Sequence, residues 1–187
     1  MTVPDDEALL LELLNTTPVE NGAPTDALSD DDAAAAWTSA RGGTGTAGEV
    51  ATVRKVREAL QGVVRGDEPP ERLAPFLVGA AMIPSFVSGR LHWQLEAPAD
   101  QAFAVRAVLA WHALEDTRPG RLRACGNPDC RLFLIDRSHG NRAQWCSMAV
   151  CGNRMKARRH YERKRQTTQD RHGAVGGADG GSGEPGV

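Results

Sequence analysis

Leucines at positions 9, 10, 11, 13 and 14 crowd the first predicted helix, residues 7–14 (EALLLELL), and leave Glu7 and Glu12 for solvent. Pro18 and Pro24 break the stretch that follows, so residues 15–27 read as a loop. Ser29 stands three residues before Asp32, a capping-box pattern that predicts a second helix through AAAAW, anchored by Trp37 and ending before Gly42-Gly43. Residues 44–48 read as flexible linker. Val50, Val53, Val56, Leu60 and Val64 then return every three or four positions, an apolar helix stripe with Arg54, Lys55, Arg57 and Glu58 around its rim. Gly66 and Pro69-Pro70 end this helix, and residues 71–78 add one or two helical turns.

The period changes next. Leu91, Trp93 and Leu95 alternate with His92, Gln94 and Glu96, the period of a strand. Ser88-Gly89 separates this run from AAMIPSFV, so the two runs read as a β-hairpin, with Pro84 placing the first strand on an edge or at a bulge. Pro98 stops the second strand. Phe103, Val105, Val108, Leu109, Trp111 and Leu114 predict a well-buried helix ending near Arg118-Pro119-Gly120. After Arg165 the chain reads QTTQDRHGAVGGADGGSGEPGV, with almost nothing apolar to bury, which predicts a disordered tail over 166–187. The expected fold class is α+β: a mainly helical N-terminal domain with a small antiparallel hairpin over residues 1–118, then a small module over 119–165.

Charge separates these two parts. The net charge of −2 hides a segment, residues 118–165, with 13 of the 22 bases and only Asp129, Asp136 and Glu162 as acids, a balance of +10 against −12 for the remainder. An acidic body is thus joined to a strongly basic module. No apolar run approaches the roughly 18 residues of a membrane span. The first residues are acidic and do not read as a secretory signal, so reducing cytoplasm is the expected location.

All four cysteines lie in the basic module. Cys125, Cys130, Cys146 and Cys151 form two C-x4-C pairs separated by 15 residues. Each pair clamps one side of an ion, and four thiolates suit one structural Zn²⁺ with no open catalytic position. Gly126-Asn127-Pro128 can turn the chain back to Cys130, residues 132–135 are a short strand candidate, and a basic helix candidate begins around the second pair. The expected order is knuckle, short strand, loop, helix. An iron–sulfur cluster or a thiol sensor would use the same residues; two disulfides would need an oxidising compartment.

The segment RLRACGNPDCRLFLIDRSHGNRAQWCSMAVCGNRMKARRHYERKR resembles the CGNR zinc finger, through Cys125, Cys130, residues 133–136, Trp145-Cys146-Ser147-Met148, Cys151-Gly152-Asn153-Arg154 and Lys156. The preceding part is similar to the ABATE domain, with Leu14-Asn15-Thr16 and the Leu28 to Trp37 segment as landmarks. The resemblance implies a bacterial, stress-induced transcription regulator. Members often carry paired arginines before the Trp-Cys, where this chain has Arg142-Ala143-Gln144, one phosphate contact fewer.

Lysine and arginine neutralise phosphates, so Arg142, Arg154, Lys156, Arg158, Arg159, Arg163, Lys164 and Arg165 are the candidate nucleic-acid contacts. On a helical wheel Arg154, Arg158 and Arg165 share one arc beside Tyr161, and Lys156, Arg159 and Arg163 share an arc on the opposite side. The resemblance favours DNA; the residues also allow RNA, since no aromatic platform is interleaved with the bases. An adaptor whose basic finger docks on an acidic protein surface is the alternative. The N-terminal domain is the expected place for a homodimer contact or an unidentified small ligand. No G-x-S-x-G, P-loop, dinucleotide fingerprint or H-E-x-x-H is present. Asp136 reads as a turn cap, His139 as a loop residue, and His92 and His112 as packing or surface residues, so no enzymatic role is expected.

Overall fold

Helix α1 (Glu7–Leu14) turns Leu9, Leu10, Leu13 and Leu14 inward. In the computed structural model, which describes residues 6–20 and 22–175, those leucines are the start of the principal core. Fully burying one such side chain contributes about 1.5–3 kcal/mol before ordering entropy is counted. Glu12 is exposed as expected, but Glu7 is not: its carboxylate is mostly buried between Arg118 and Arg137. A helix so dense in leucine leaves little polar face, and long arginines from distant segments reach the glutamate at its first turn.

The 15–27 stretch holds a small two-stranded ladder, β1 (Val19–Glu20) with β2 (Ala23–Pro24). It is pinned to helix α3 (Ala47–Arg65) by polar contacts. The Arg57 guanidinium donates two bonds to the Asp26 carboxylate, at 2.5 and 2.8 Å, and one to Thr16 Oγ1 at 3.0 Å. Gln61 Nε2 donates to the Leu14 carbonyl at 2.8 Å and to Thr17 Oγ1 at 2.9 Å. Arg57 is therefore buried rather than on the rim. A buried guanidinium is tolerable because its fork is filled by acceptors. The hydrogen bond from Arg57 in turn holds the Asp26 carboxyl below the ordinary carboxylate value.

Helix α2 (Asp31–Ser39) is capped by Asp30, whose side chain accepts from the Ala33 amide at 2.8 Å, not by Ser29. Ser29 Oγ instead donates to the Asp26 carbonyl. Aspartate is as good a cap as serine, and its position one residue later matches the helix start. Residues 44–46 are not slack linker. The buried Glu49 carboxylate accepts from the Thr44 and Gly45 amides and from the Thr44 hydroxyl, at 2.6–2.8 Å, while Thr46 caps α3 through the Glu49 amide. This T-x-x-E cap lies in the stretch read as linker because its two glycines dominated the composition. Gly45 holds φ +69°, and a Cβ there would lie 2.2 Å from Ser39 Oγ and 2.9 Å from the Ala35 carbonyl.

The valine stripe of α3 packs against α1 and against α4 (Ala102–Thr117). Alanines 104, 107 and 110 on α4 are buried and permit close helix approach, while Leu109 and Trp111, read as buried, are half-exposed on its flank. A 3₁₀ helix over Pro70–Leu77 follows α3. Strands β3 (Ala81–Val87) and β4 (Arg90–Glu96) pair without a bulge, from Ala81↔Glu96 to Val87↔Arg90. Their turn residues Ser88 and Gly89 both take positive φ, 50° and 75°, as a two-residue hairpin requires. Two further short strands, β5 (Leu122–Ala124) and β6 (Phe133–Ile135), pair antiparallel, and Leu122, Phe133 and Ile135 enter the same core as the helices.

The chain divides into two compact units, residues 1–146 and 147–187. The packing boundary falls after Cys146, because β5 and β6 complete the helical core. The second unit has a π-turn over Met148–Gly152 and then helix α5 (Asn153–Val175). That helix runs through 166–175, where a disordered tail was expected. Glutamine, threonine and arginine there do not break a helix already nucleated, and each added residue gains a bond. The rest of the expected tail, 176–187, lies outside the described residues.

Candidate metal centre and basic helix

The knuckle is built by backbone bonds that the sequence makes possible locally. The Cys125 amide donates to the Leu132 carbonyl at 2.8 Å, extending the β5–β6 pairing to the first cysteine. The Cys130 amide donates to the Asn127 carbonyl at 2.9 Å and the Asp129 amide to Asn127 Oδ1 at 3.2 Å, so fully buried Asn127 folds the turn between the two cysteines. Gly126 is the close approach: its amide meets the Gln144 carbonyl at 2.8 Å, and a Cβ there would come within 3.2 Å of that carbonyl and of the Trp145 ring. The loop returning to Cys146 is organised by buried Asp136. Its carboxylate accepts from the Ser138 amide at 2.7 Å and the Ala143 amide at 2.8 Å. The Ser138 side-chain hydrogen bond, outweighing the opposing effect of burial, holds this carboxyl below its ordinary value. Asp136 is thus a loop cap, as its position implied.

The sulfurs of Cys125, Cys130, Cys146 and Cys151 all lie within 4.8 Å of one another. Cys130 Sγ and Cys146 Sγ are 3.7 Å apart. A tetrahedral site with Zn–S bonds of about 2.3 Å has an edge of about 3.8 Å, so this pair already has the separation that one shared ion needs. The distance is far beyond the roughly 2.05 Å of a disulfide. The Cys146 amide donates to Cys125 Sγ at 3.5 Å, tying the second cysteine pair to the first. Cys125 and Cys151 are buried, Cys130 and Cys146 half-buried. The four cysteines therefore form a cluster compatible with a single structural metal.

The structure also divides the basic module. Six of its 13 bases, Arg118, Arg121, Arg123, Arg131, Arg137 and Arg142, precede residue 147, with two acids; seven follow it, with one acid. The +10 therefore resolves into +4 and +6. Four of the first six serve the fold. Arg118 and Arg137 pair with Glu7, Arg121 donates to the carbonyls of Asp136 and Ser138, and Arg123 donates to the Gly120 carbonyl and Asn141. Arg142 lies on the exposed loop after β6, on a different element from the other candidates. Arg154, Lys156, Arg158, Arg159, Arg163, Lys164 and Arg165 are all exposed on α5. Arg158 reaches Glu162 at 3.1 Å, both side chains half-exposed, a pair contributing about 0–1 kcal/mol.

Sequence reasoning missed Asn15 as a structural residue. Its Oδ1 accepts from the Phe133 amide at 2.7 Å and its Nδ2 donates to the Phe133 carbonyl at 3.2 Å. One side-chain amide thereby takes the place of a neighbouring strand at β6, 118 positions away. No local signal marks such a contact. A cleft of about 420 Å³ lies along α3, lined by Thr17, Asp26, Arg54, Arg57, Gln61 and Arg131 among others. No helix among the described residues is long and apolar enough to cross a membrane.

A family model for the CGNR zinc finger matches residues 121–164. A second, for the ABATE domain, described as "Putative stress-induced transcription regulator", matches residues 7–127. Both are non-catalytic modules. No curated protein matches the chain.

Proposed function

The chain belongs to the ABATE family and carries a CGNR zinc finger, and from that premise we propose that it is a transcription regulator whose finger holds one structural Zn²⁺ and whose basic helix contacts DNA. Cys125, Cys130, Cys146 and Cys151 are the ligands in this reading. Their short mutual separations favour one ion over an iron–sulfur cluster, whose several irons and sulfides must fit between the thiolates. Bound zinc would supply folding energy and no reaction step.

The observation that carries the DNA reading is α5: seven exposed bases against one acid between residues 154 and 165. Twelve helical residues span about 18 Å, and a helix about 10–12 Å across matches a major groove about 12 Å wide. Bases on two opposite arcs suit a groove walled by phosphates on both sides. The weak Arg158–Glu162 pair is readily exchanged for a phosphate. The acidic helical part is then the half that senses a ligand or partner.

Fluorescence anisotropy on a duplex of mixed sequence, with zinc present, tests the reading. If both arcs engage, log affinity falls against log salt with a slope of about −5 to −6, about −0.9 for each phosphate neutralised. Replacing Arg158, Arg159 and Arg163 together by alanine should weaken binding to every sequence and reduce that slope by about 2–3. Absence of binding at low salt by zinc-replete protein would reject the DNA reading and leave the acidic-protein adaptor.

A further inference from the structure

The β3–β4 hairpin is a two-stranded sheet, joined to no other strand among the described residues. Its register sorts its side chains sharply. Met82 with Leu95, Pro84 with Trp93 and Phe86 with Leu91 are cross-strand pairs on one face, which is wholly apolar. The other face carries Ala81, Glu96, Ile83, Gln94, Ser85, His92, Val87 and Arg90. The apolar face is half-buried at its base, at Met82, Trp93 and Leu95. At its tip it is open: Phe86 is 78% and Leu91 52% exposed.

The two edges differ. Val87↔Arg90 closes a two-residue turn and is a hydrogen-bonded pair, so bonded pairs recur at Ser85↔His92, Ile83↔Gln94 and Ala81↔Glu96. The main-chain groups of the intervening residues point outward. On β3 these include Pro84, which has no N–H to offer, so that edge is blocked. On β4 they are Leu91, Trp93 and Leu95, a complete set of donors and acceptors. A seven-residue edge strand, apolar on one face and with no blocking proline, is a template for another strand, a feature that proteins normally blunt unless it is used.

We infer that β4 pairs antiparallel with β4 of a second copy of this chain, about a two-fold axis at Trp93. The sequence of β4 is self-complementary in that register. Trp93 faces Trp93 of the other copy, and Leu91 faces Leu95, so all three outward residues fall in hydrogen-bonded pairs. Arg90 faces Glu96 at both ends, in the non-bonded positions where side chains approach most closely. The exposed tip of each hairpin is then laid beside the half-buried base of the other, and the apolar faces join into one four-stranded surface. A two-fold contact of this kind is isologous and closes at two copies. The inference does not depend on the nucleic-acid reading.

Sedimentation equilibrium of the full-length, zinc-replete chain, 20.0 kDa per copy, tests it without DNA. The expected species is a dimer. Arg90→Glu should weaken the dimer about tenfold by placing like charges at both ends, Glu96→Arg likewise, and Arg90→Glu with Glu96→Arg should restore it. Leu91→Pro, which removes an outward N–H as Pro84 does on β3, should give monomer with an unchanged helical circular dichroism spectrum. A protein monomeric at 100 µM, or a dimer indifferent to the charge reversals, or failure of the double reversal to restore association, overturns the inference.

Discussion

Replacing Asn15 by alanine should loosen the finger from a position outside it. The side chain satisfies both main-chain groups of Phe133, at 2.7 and 3.2 Å, and Phe133 is 1% exposed. If water cannot follow, two buried groups lose their partners at about 1–3 kcal/mol each; if it can, the loss is nearer 1 kcal/mol per bond. The expected destabilisation is therefore about 2–6 kcal/mol, a large share of the 5–15 kcal/mol typical of a domain. With an m-value of about 2 kcal/mol/M, this moves the urea midpoint by about 1–3 M, followed by tryptophan fluorescence. Asn15→Asp retains an acceptor for the Phe133 amide but loses the donor to its carbonyl, so it should fall between the two. Zinc release to a chromophoric chelator should be faster in Asn15→Ala, because β6 leads directly from the first cysteine pair. A midpoint shift under about 0.3 M with unchanged release would refute the reasoning, and β6 would then be held by its packing and by β5 alone.

Elemental analysis of protein purified without chelator should find one zinc per chain, and serine at Cys125, Cys130, Cys146 or Cys151 should abolish it; because Leu122, Phe133 and Ile135 share the helical core, those variants should also lower the stability of the helical part. Gly45→Ala should cost about 2 kcal/mol or more, from a positive φ of 69° together with contacts at 2.2 and 2.9 Å, whereas Gly66→Ala, at φ 80° with nothing within 4 Å, should cost about 1–2 kcal/mol; equal losses in thermal melts would contradict the steric account. The Asp26 carboxyl, held below its ordinary 3.8 chiefly by Arg57, contributes stability that is complete above that value and disappears as pH falls through the lowered one. The melting-temperature gap between the natural chain and Asp26→Asn should accordingly be constant near neutrality and close below about pH 4; a gap that persists at pH 2.5 would show that Asp26 acts through shape rather than charge.

Features that arise within a few residues were legible in the chain. The leucine block of α1, the valine period of α3, the two-residue Ser88-Gly89 turn and the paired cysteine spacing each act over one turn of backbone, where periodicity and φ preferences are decisive. The same locality explains why the CGNR segment could be matched residue by residue. What only the tertiary structure decided involves partners far apart. Arg57 looked like a rim charge and is buried because Asp26 and Thr16, 31 and 41 positions earlier, fill its fork. Glu49 ties down a segment that composition marked as linker, and Asn15 serves a strand 118 positions away. The +10 segment is a single number in sequence. In three dimensions, four of its arginines are engaged with Glu7, Asn141 and loop carbonyls, and seven bases are set out on one exposed helix. A charge count cannot distinguish these, because whether a guanidinium finds a carboxylate or water depends on which distant segments the apolar core brings beside it.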